Sequence, residues 1–357
     1  ISLKAGHAII FSPHPNAKEC ILETVRIVAK AAEAAGAPAG AVSSLTIPTL
    51  EATQELMKNR GTKIILATGG EAMVRSAYSS GKPAIGVGPG NGPAFIDQSA
   101  DVPLAVKRIL ASKTFDNGVI CASEQSIIVE KAMAPKVKEE LIRQGAYFLN
   151  EEESKQLAKF ILRPNGTMNP QIVGKSVAHI AMLADLTHVP ENARVLIAPE
   201  SQVGAKIPYS REKLAPILAF YVEDNVDAVL EKCIAILRHE GSGHTFCMHA
   251  NDEALVKRFA AKIPASRIIV NSPGALGGIG ATTGLFPSLT LGCGAVGGSS
   301  SSNNIGPLDL INIKRIAYGV REAEELTAES AACQQKSPLS TEALVDAIVQ
   351  KILKEII

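Results

Sequence analysis

The feature that most constrains this chain is an alternation of short, β-branched apolar runs with stretches of helical periodicity. His7-Ala-Ile-Ile-Phe-Ser12 reads as a buried strand, and Ala17 to Ala35 follows with helical spacing until Gly36 and Pro38 stop it. Thr62-Lys-Ile-Ile-Leu-Ala-Thr68 is a second run, closed by Gly69-Gly70. A helical stretch from Glu71 to Ser79 leads to a third, Lys82-Pro-Ala-Ile-Gly-Val87. Strands separated by helices predict a parallel sheet with right-handed crossovers.

Beyond a helix over Asp101 to Lys113, the turn Phe115 to Gln125 leads into a strand at Ser126 to Glu130, and the pattern starts again. Strands at Arg194 to Ala198, Leu214 to Tyr221 and Arg267 to Asn271 alternate with helices at Ala134 to Gly145, Asn225 to His239 and Asp252 to Ala261. A length of 357 residues suits two such α/β domains. The boundaries expected are 1–117 for the first domain and 118–301 for the second. A return segment (302–322), a polar linker (323–338) and an amphipathic terminal helix (339–357) follow. Between Pro273 and Pro307 the chain is dense in Gly and Ser, as in a flexible loop, yet Phe286-Pro-Ser-Leu-Thr-Leu291 is too apolar for a linker. The chain opens at Ile1 almost directly in a strand, so a preceding segment is expected.

Composition narrows the function. The 36 Lys+Arg against 35 Asp+Glu give a net charge of +1, with the basic residues dispersed, which speaks against nucleic acid as a partner. No apolar run approaches the roughly 20 residues of a membrane span and no leader-like segment opens the chain, so a cytoplasmic protein is expected. The six cysteines form no CxxC or Cys/His cluster, which argues against a disulfide framework and against a metal site. Cys20, Cys233 and Cys247 read as small buried hydrophobes.

Two glycine turns follow predicted strands. Gly86, Gly88, Gly90 and Gly92 could let backbone approach a phosphate or nicotinamide, or make a tight turn; they lack the Gly-x-Gly-x-x-Gly register. Thr68-Gly69-Gly70 could cradle a pyrophosphate or simply start a helix. Cys121 lies just after Asn117-Gly118 at the expected domain join, where a turn can present a thiol to a cleft as a nucleophile. Glu212 before an apolar strand reads as a solvated charge, and His244 in Gly241-Ser-Gly-His-Thr245 reads as a structural histidine.

Thr114-Phe-Asp-Asn-Gly-Val-Ile-Cys-Ala-Ser-Glu-Gln125 is similar to a signature of the CoA-acylating aldehyde dehydrogenases. So are Ile9-Ile-Phe-Ser-Pro-His-Pro15, Leu66-Ala-Thr-Gly-Gly70, Tyr78-Ser-Ser-Gly-Lys-Pro-Ala-Ile-Gly-Val-Gly88 and Pro287-Ser-Leu-Thr-Leu-Gly-Cys-Gly294. The resemblance runs from Ile1 to about Arg321, and includes the aldehyde domain of bifunctional aldehyde/alcohol dehydrogenases and the microcompartment propanal and acetaldehyde dehydrogenases. It implies a Rossmann-type nucleotide-binding domain over 1–117, with the catalytic α/β domain after it. Cys121 becomes the nucleophile that traps a short aldehyde and forms a thioester released by coenzyme A. The cofactor is NAD, with NADP open. It is held by Ser12, Pro13, His14 and Pro15 at the adenine ribose, by Thr68, Gly69, Gly70, Gly86 and Gly88, and by Glu212 at the nicotinamide ribose. His244 falls on the acyl or CoA side. Hydrolytic relatives carry a glutamate in a Glu-Leu-Gly-Gly pattern where this chain has Gly86-Val-Gly-Pro-Gly-Asn91, which favours a thiol acceptor over water. The family's oxyanion-hole asparagine is expected N-terminal to Ile1.

Two alternatives stay open: a hydrolytic aldehyde dehydrogenase, and a non-catalytic nucleotide-binding assembly component. A homo-oligomer is expected. The stripe Leu344, Val345, Ile348, Val349, Ile352, Leu353 and Ile356, with Ser340 as cap, suits docking on the body or, as in microcompartment encapsulation peptides, binding a shell protein inside the lumen.

Overall fold

Every strand pairing in the computed structural model, which describes residues 1–326 and Val345, is parallel, as the βα alternation requires. Residues 1–311 form one compact unit and 312–357 a second. The first unit starts with two small βα pairs. Strand β1 (Ile9–Phe11) pairs with β2 (Val42–Ser44), and helices α1 (Lys18–Ala34) and α2 (Leu50–Lys58) follow them. Strand β3 (Ile65–Thr68) pairs with β4 (Ala84–Val87) around α3 (Glu71–Tyr78), which brings Thr68 opposite Val87 and so sets the two glycine turns side by side.

Seven strands make the main sheet: β5 (Gly92–Ile96), β6 (Glu124–Glu130), β7 (Ala146–Phe148), β8 (Val195–Pro199), β9 (Ile217–Glu223), β10 (Gly243–His249) and β11 (Ala265–Val270). Their order is β11-β10-β5-β6-β9-β8-β7. Alternate residues supply two cores. Phe95, Ile128, Tyr221 and Phe246 face one layer with α6 (Glu151–Ile161), α7 (Val177–Leu183), α8 (Val226–His239) and α9 (Glu253–Lys262). Ala94, Ile96, Ile127, Val129 and Cys247 face the other with α4 (Val102–Thr114) and α5 (Ala134–Arg143). Burial on both faces explains why these strands read as continuous apolar runs.

β5 lies within 1–117 but is a strand of the seven-stranded sheet, and α4 packs on that sheet, so the change of sheet falls at about Gly88–Asn91. β5 is short and opens with Gly92 and Pro93, which hides it in the sequence. Residues 273–307 hold α10 (Gly274–Gly278), the bridge Leu291–Asn304 and the buried Leu291, Cys293 and Ile305. One expectation is overturned: Cys20 is exposed, because α1 covers only a two-stranded sheet and buries none of its residues, whereas Cys233 and Cys247 are buried as expected. The terminal helix and the linker before it lie almost wholly outside the described residues. Among the described residues, no helix is long and apolar enough to cross a membrane.

Candidate active site

A strained turn presents Cys121. After α4 the chain passes through three consecutive left-handed residues, Asp116 (φ 49°), Asn117 (φ 49°) and Gly118 (φ 76°), and is then fastened by Ser123 N–H to the Ile120 carbonyl at 2.8 Å. Asp and Asn tolerate this region better than most residues, and glycine has no Cβ to oppose it. A Cβ on Gly118 would also sit 2.9 Å from the Ala215 oxygen, so the turn is wedged against the approach to β9. Asn117 Nδ2 donates to the Gly174 carbonyl at 3.0 Å, holding the outside of the turn.

The amino ends of four parallel strands converge on the thiol. Cys121 precedes β6, Gly90 precedes β5, Glu212 precedes β9, and His244 opens β10. Gly90 N–H donates to Glu212 Oε1 at 2.8 Å, and Asn91 Nδ2 donates to the Ser210 carbonyl at 2.7 Å. A Cβ on Gly90 would lie 2.8 Å from the Cys121 carbonyl carbon and closer still to its oxygen, with His244 Cε1 at 3.2 Å. Gly90 is therefore a close approach of backbone to the Cys121 loop, and no phosphate is needed to explain it. Gly88 is open around its Cβ position. Glu212 is not a solvated charge: besides Gly90, its own N–H donates to Glu240 Oε2 at 2.8 Å, and Glu240 also pairs with Arg211 at 2.9 Å.

The electrostatics oppose easy ionisation. Loss of water around the sulfur pushes the Cys121 thiol up to about 12; Glu212 and Cys293 add to this, and Arg267 opposes it. Burial, with the like charge of Glu240, pushes the Glu212 carboxyl up to about 8 against the pull of the Gly90 hydrogen bond, Lys113 and Lys213. Burial holds the His244 ring neutral, down to about 3; its Nδ1 is 2.9 Å from Thr245 Oγ1, and Nε2 has no hydrogen-bond partner. Beneath the site, Lys113 Nζ donates to Gln125 Oε1 at 3.0 Å and is pushed down to about 7 by burial.

On the nucleotide side, Thr68, Gly69 and Gly70 are exposed where β3 meets α3, and Gly70 caps α3 without any side-chain hydrogen bond. Gly70 has nothing within 4 Å of its Cβ position, so the turn where β3 meets α3 is open enough to admit a pyrophosphate. Gly86 is packed instead: its N–H donates to the Tyr78 hydroxyl at 2.9 Å, and Val74 closes over it. Ser12 Oγ bonds Thr53 Oγ1 at 2.7 Å, Pro13 is buried, and His14 Nδ1 accepts from Asn16 N–H at 3.2 Å in the turn where Pro15 starts a short helix. The sequence did not single out Cys293, Arg267, Glu240 or Lys113 as site residues. Cys293 lay in a quoted motif, and Arg267 and Lys113 were visible only as lone charges in apolar runs.

A model of the aldehyde dehydrogenase family matches residues 1–158. The chain is 46% identical over 322 residues to the bifunctional aldehyde-alcohol dehydrogenase AdhE of Escherichia coli, covering 89% of this chain and 36% of that one. It thus spans little more than a third of that relative. It is 35% identical over 323 residues to a succinate-semialdehyde dehydrogenase (acetylating) of Clostridium kluyveri, covering 90% and 71%. Among solved structures, a probable aldehyde dehydrogenase from Listeria monocytogenes superposes with a TM-score of 0.89 at 65% identity, covering 91% and 72%. A propionaldehyde dehydrogenase from a Clostridium phytofermentans bacterial microcompartment superposes with 0.77 at 27%, covering 84% and 67%.

Proposed function

The chain belongs to the aldehyde dehydrogenase family, and from that premise we propose that it oxidises a short aldehyde, such as acetaldehyde or propanal, to its acyl-CoA through Cys121. The observation that carries the choice of acceptor is the Gly86–Asn91 segment. It runs against the Cys121 loop without a carboxylate, and Gly90 leaves no room there for a side chain. A water molecule would need a base to act as nucleophile; a CoA thiol, several pKa units more acidic, needs less help.

The chain's residues divide the work. The Cys121 thiolate attacks the aldehyde carbon to give a thiohemiacetal, collapse of that adduct expels hydride and leaves a thioester, and the CoA thiolate displaces Cys121 as acyl-CoA forms. Bound NAD supplies the hydride acceptor. Thr68, Gly69 and Gly70 offer amides to the pyrophosphate, Glu212 accepts from the nicotinamide ribose hydroxyls, and Gly88 keeps the strand end clear. Gly86 acts from behind by packing on α3. Ser12, Pro13, His14 and Pro15 shape the adenosine end, where no lysine stands at position 12; the cofactor is NAD on the family's habit, with NADP open. His244, neutral with an unpartnered ring nitrogen, lies on the acyl and CoA side. Two nucleotides using one cleft in turn predict ping-pong kinetics.

The test is NADH formation by the full chain with aldehyde and NAD, with and without CoA. Equal rates in both overturn the acylating reading in favour of hydrolysis, and unchanged activity in Cys121→Ala overturns the nucleophile. The proposal extends to a homo-oligomer and to delivery of the enzyme into a microcompartment by 339–357, supported by the microcompartment relative and the apolar stripe. Ser337 to Ile357 fused to a fluorescent reporter concentrates in shells on this reading; diffuse fluorescence overturns it.

A further inference from the structure

Two sheets meet at this site, and the segment Gly88–Asn91 carries the chain from one to the other. Among the described residues β4 pairs with β3 alone, so its other edge has no strand beside it. The Pro83 carbonyl accepts from Ile65 N–H at 2.9 Å, and the alternation of a parallel ladder then turns the polar groups of Ala84 and Gly86 toward the open edge. Backbone groups at such an edge call for partners. Here side chains from two other segments supply them. Gly86 N–H donates to the Tyr78 hydroxyl at 2.9 Å, Ser299 Oγ donates to the Gly86 carbonyl at 2.6 Å, and Ser300 Oγ donates to the Ala84 carbonyl at 2.7 Å. The Tyr78 hydroxyl also accepts from Ser300 N–H at 3.0 Å, so one oxygen joins α3, β4 and the 291–304 strap. The strap is in turn fixed to the larger sheet: Arg267 of β11 donates through Nη2 to the Gly292 carbonyl at 2.7 Å, Ser299 N–H donates to the Gly294 carbonyl at 2.8 Å, and Gly294 N–H donates to the Ser301 carbonyl at 2.8 Å.

We propose that Tyr78 is a positioning residue for the bound dinucleotide: its hydroxyl, with Ser299, locks the β3–β4 pair to the strap and so fixes the span between the Thr68–Gly70 turn and Glu212. The inference rests on the nucleotide reading above, in which the pyrophosphate sits at that turn and the nicotinamide ribose at Glu212. The two anchors stand on opposite sides of the joint, since β3 and β4 belong to the small sheet and Glu212 leads into β9 of the large one. A ligand that touches one side of the joint is indifferent to its stiffness. One that spans both sides must itself hold the joint in place once the protein no longer does, and binds more weakly for that reason. The Tyr78 ring also lies against Gly86, where a Cβ would meet its Cε2 at 2.7 Å, so packing alone keeps the side chain in position when the hydroxyl is removed.

The test needs no turnover. The full chain is titrated calorimetrically with NAD, which spans the joint, and with ADP, which carries the pyrophosphate and adenosine but has nothing to place at Glu212. Tyr78→Phe keeps the ring and removes the acceptor of two N–H groups. It should weaken NAD about tenfold, as the loss of one positioning hydrogen bond would, and leave ADP within about threefold of wild type. A tyrosine that serves stability alone lowers the melting temperature and leaves both affinities at wild-type values, which overturns the proposal. Equal weakening of NAD and ADP overturns it as well, because the damage then lies in the β3–β4 turns themselves. If Tyr78→Phe does not fold, Ser299→Ala decides on the same titrations: NAD weakened by more than about threefold with ADP unchanged supports the lock, and any other pattern overturns it. Failure of the nucleotide reading shows separately, in a wild type that binds neither NAD nor ADP.

Discussion

At the residue scale the site sets two opposing demands on one sulfur. Cys121 must ionise to attack, yet desolvation together with Glu212 pushes it up to about 12. Its alkylation by iodoacetamide should therefore keep rising with pH well past the point where an ordinary thiol near 8.5 levels off. A plateau below about pH 9, followed by peptide mass spectrometry, would contradict the geometry. Cys121→Ala should lose CoA-dependent activity on the order of a thousandfold or more. Glu212 carries a stability consequence as well. Its folded value of about 8 stands above the ordinary 4.5, so between these limits the native state holds a proton that the unfolded chain releases. Stability should fall as pH rises through that window, and Glu212→Gln should remove this dependence. Melting temperatures of the two proteins should diverge from pH 5 to 8 and then run parallel; a constant gap would show that the carboxyl is ionised throughout.

At the scale of elements, turns rather than helices hold the chemistry in place. Gly118→Ala adds a Cβ to a left-handed residue already 2.9 Å from the Ala215 oxygen, and Gly90→Ala drives one into the Cys121 carbonyl. Each should cost about 1–3 kcal/mol. Denaturant midpoints give that cost, while NADH formation separates the two sites: Gly90→Ala should lose activity more than its stability explains. The strap after β11 behaves likewise. Glu124 Oε1 accepts from Gly274 N–H at 2.8 Å and Ser112 Oγ from Ala275 N–H at 2.7 Å, so the start of α10 is docked on polar groups under Cys121. The Gly and Ser density of 273–307 reflects close backbone packing, which composition does not distinguish from flexibility.

Across the whole molecule, the carboxyl ends of β3 and β4 and the amino ends of the larger sheet meet through one short segment, because the chain passes from β4 straight into β5. A dinucleotide spanning that junction would stabilise the native state by mass action, about 2.7 kcal/mol at one hundred times its Kd. A rise of several degrees in melting temperature with NAD is expected, reduced in Glu212→Gln. No shift at saturating NAD would remove the nucleotide site from this cleft.

The sequence by itself determined the parallel α/β class, since apolar β-branched runs alternating with helical periodicity admit little else, and it marked Cys121, because Asn117-Gly118 before a thiol at the start of an apolar strand is a local signal. Most helices and strands were legible for the same reason. What only the tertiary structure decided involves residues distant in sequence. β5 could not be recognised as part of the larger sheet until its neighbours β6 and β10 were in place. Glu212, 122 positions from Gly90, meets it only in the fold, where its Oε1 accepts the Gly90 N–H. Arg267 and Lys113 look like ordinary charges until packing removes water from them. Local periodicity records which face of an element is dry; the field inside a site is a sum over groups that the chain brings together only when folded.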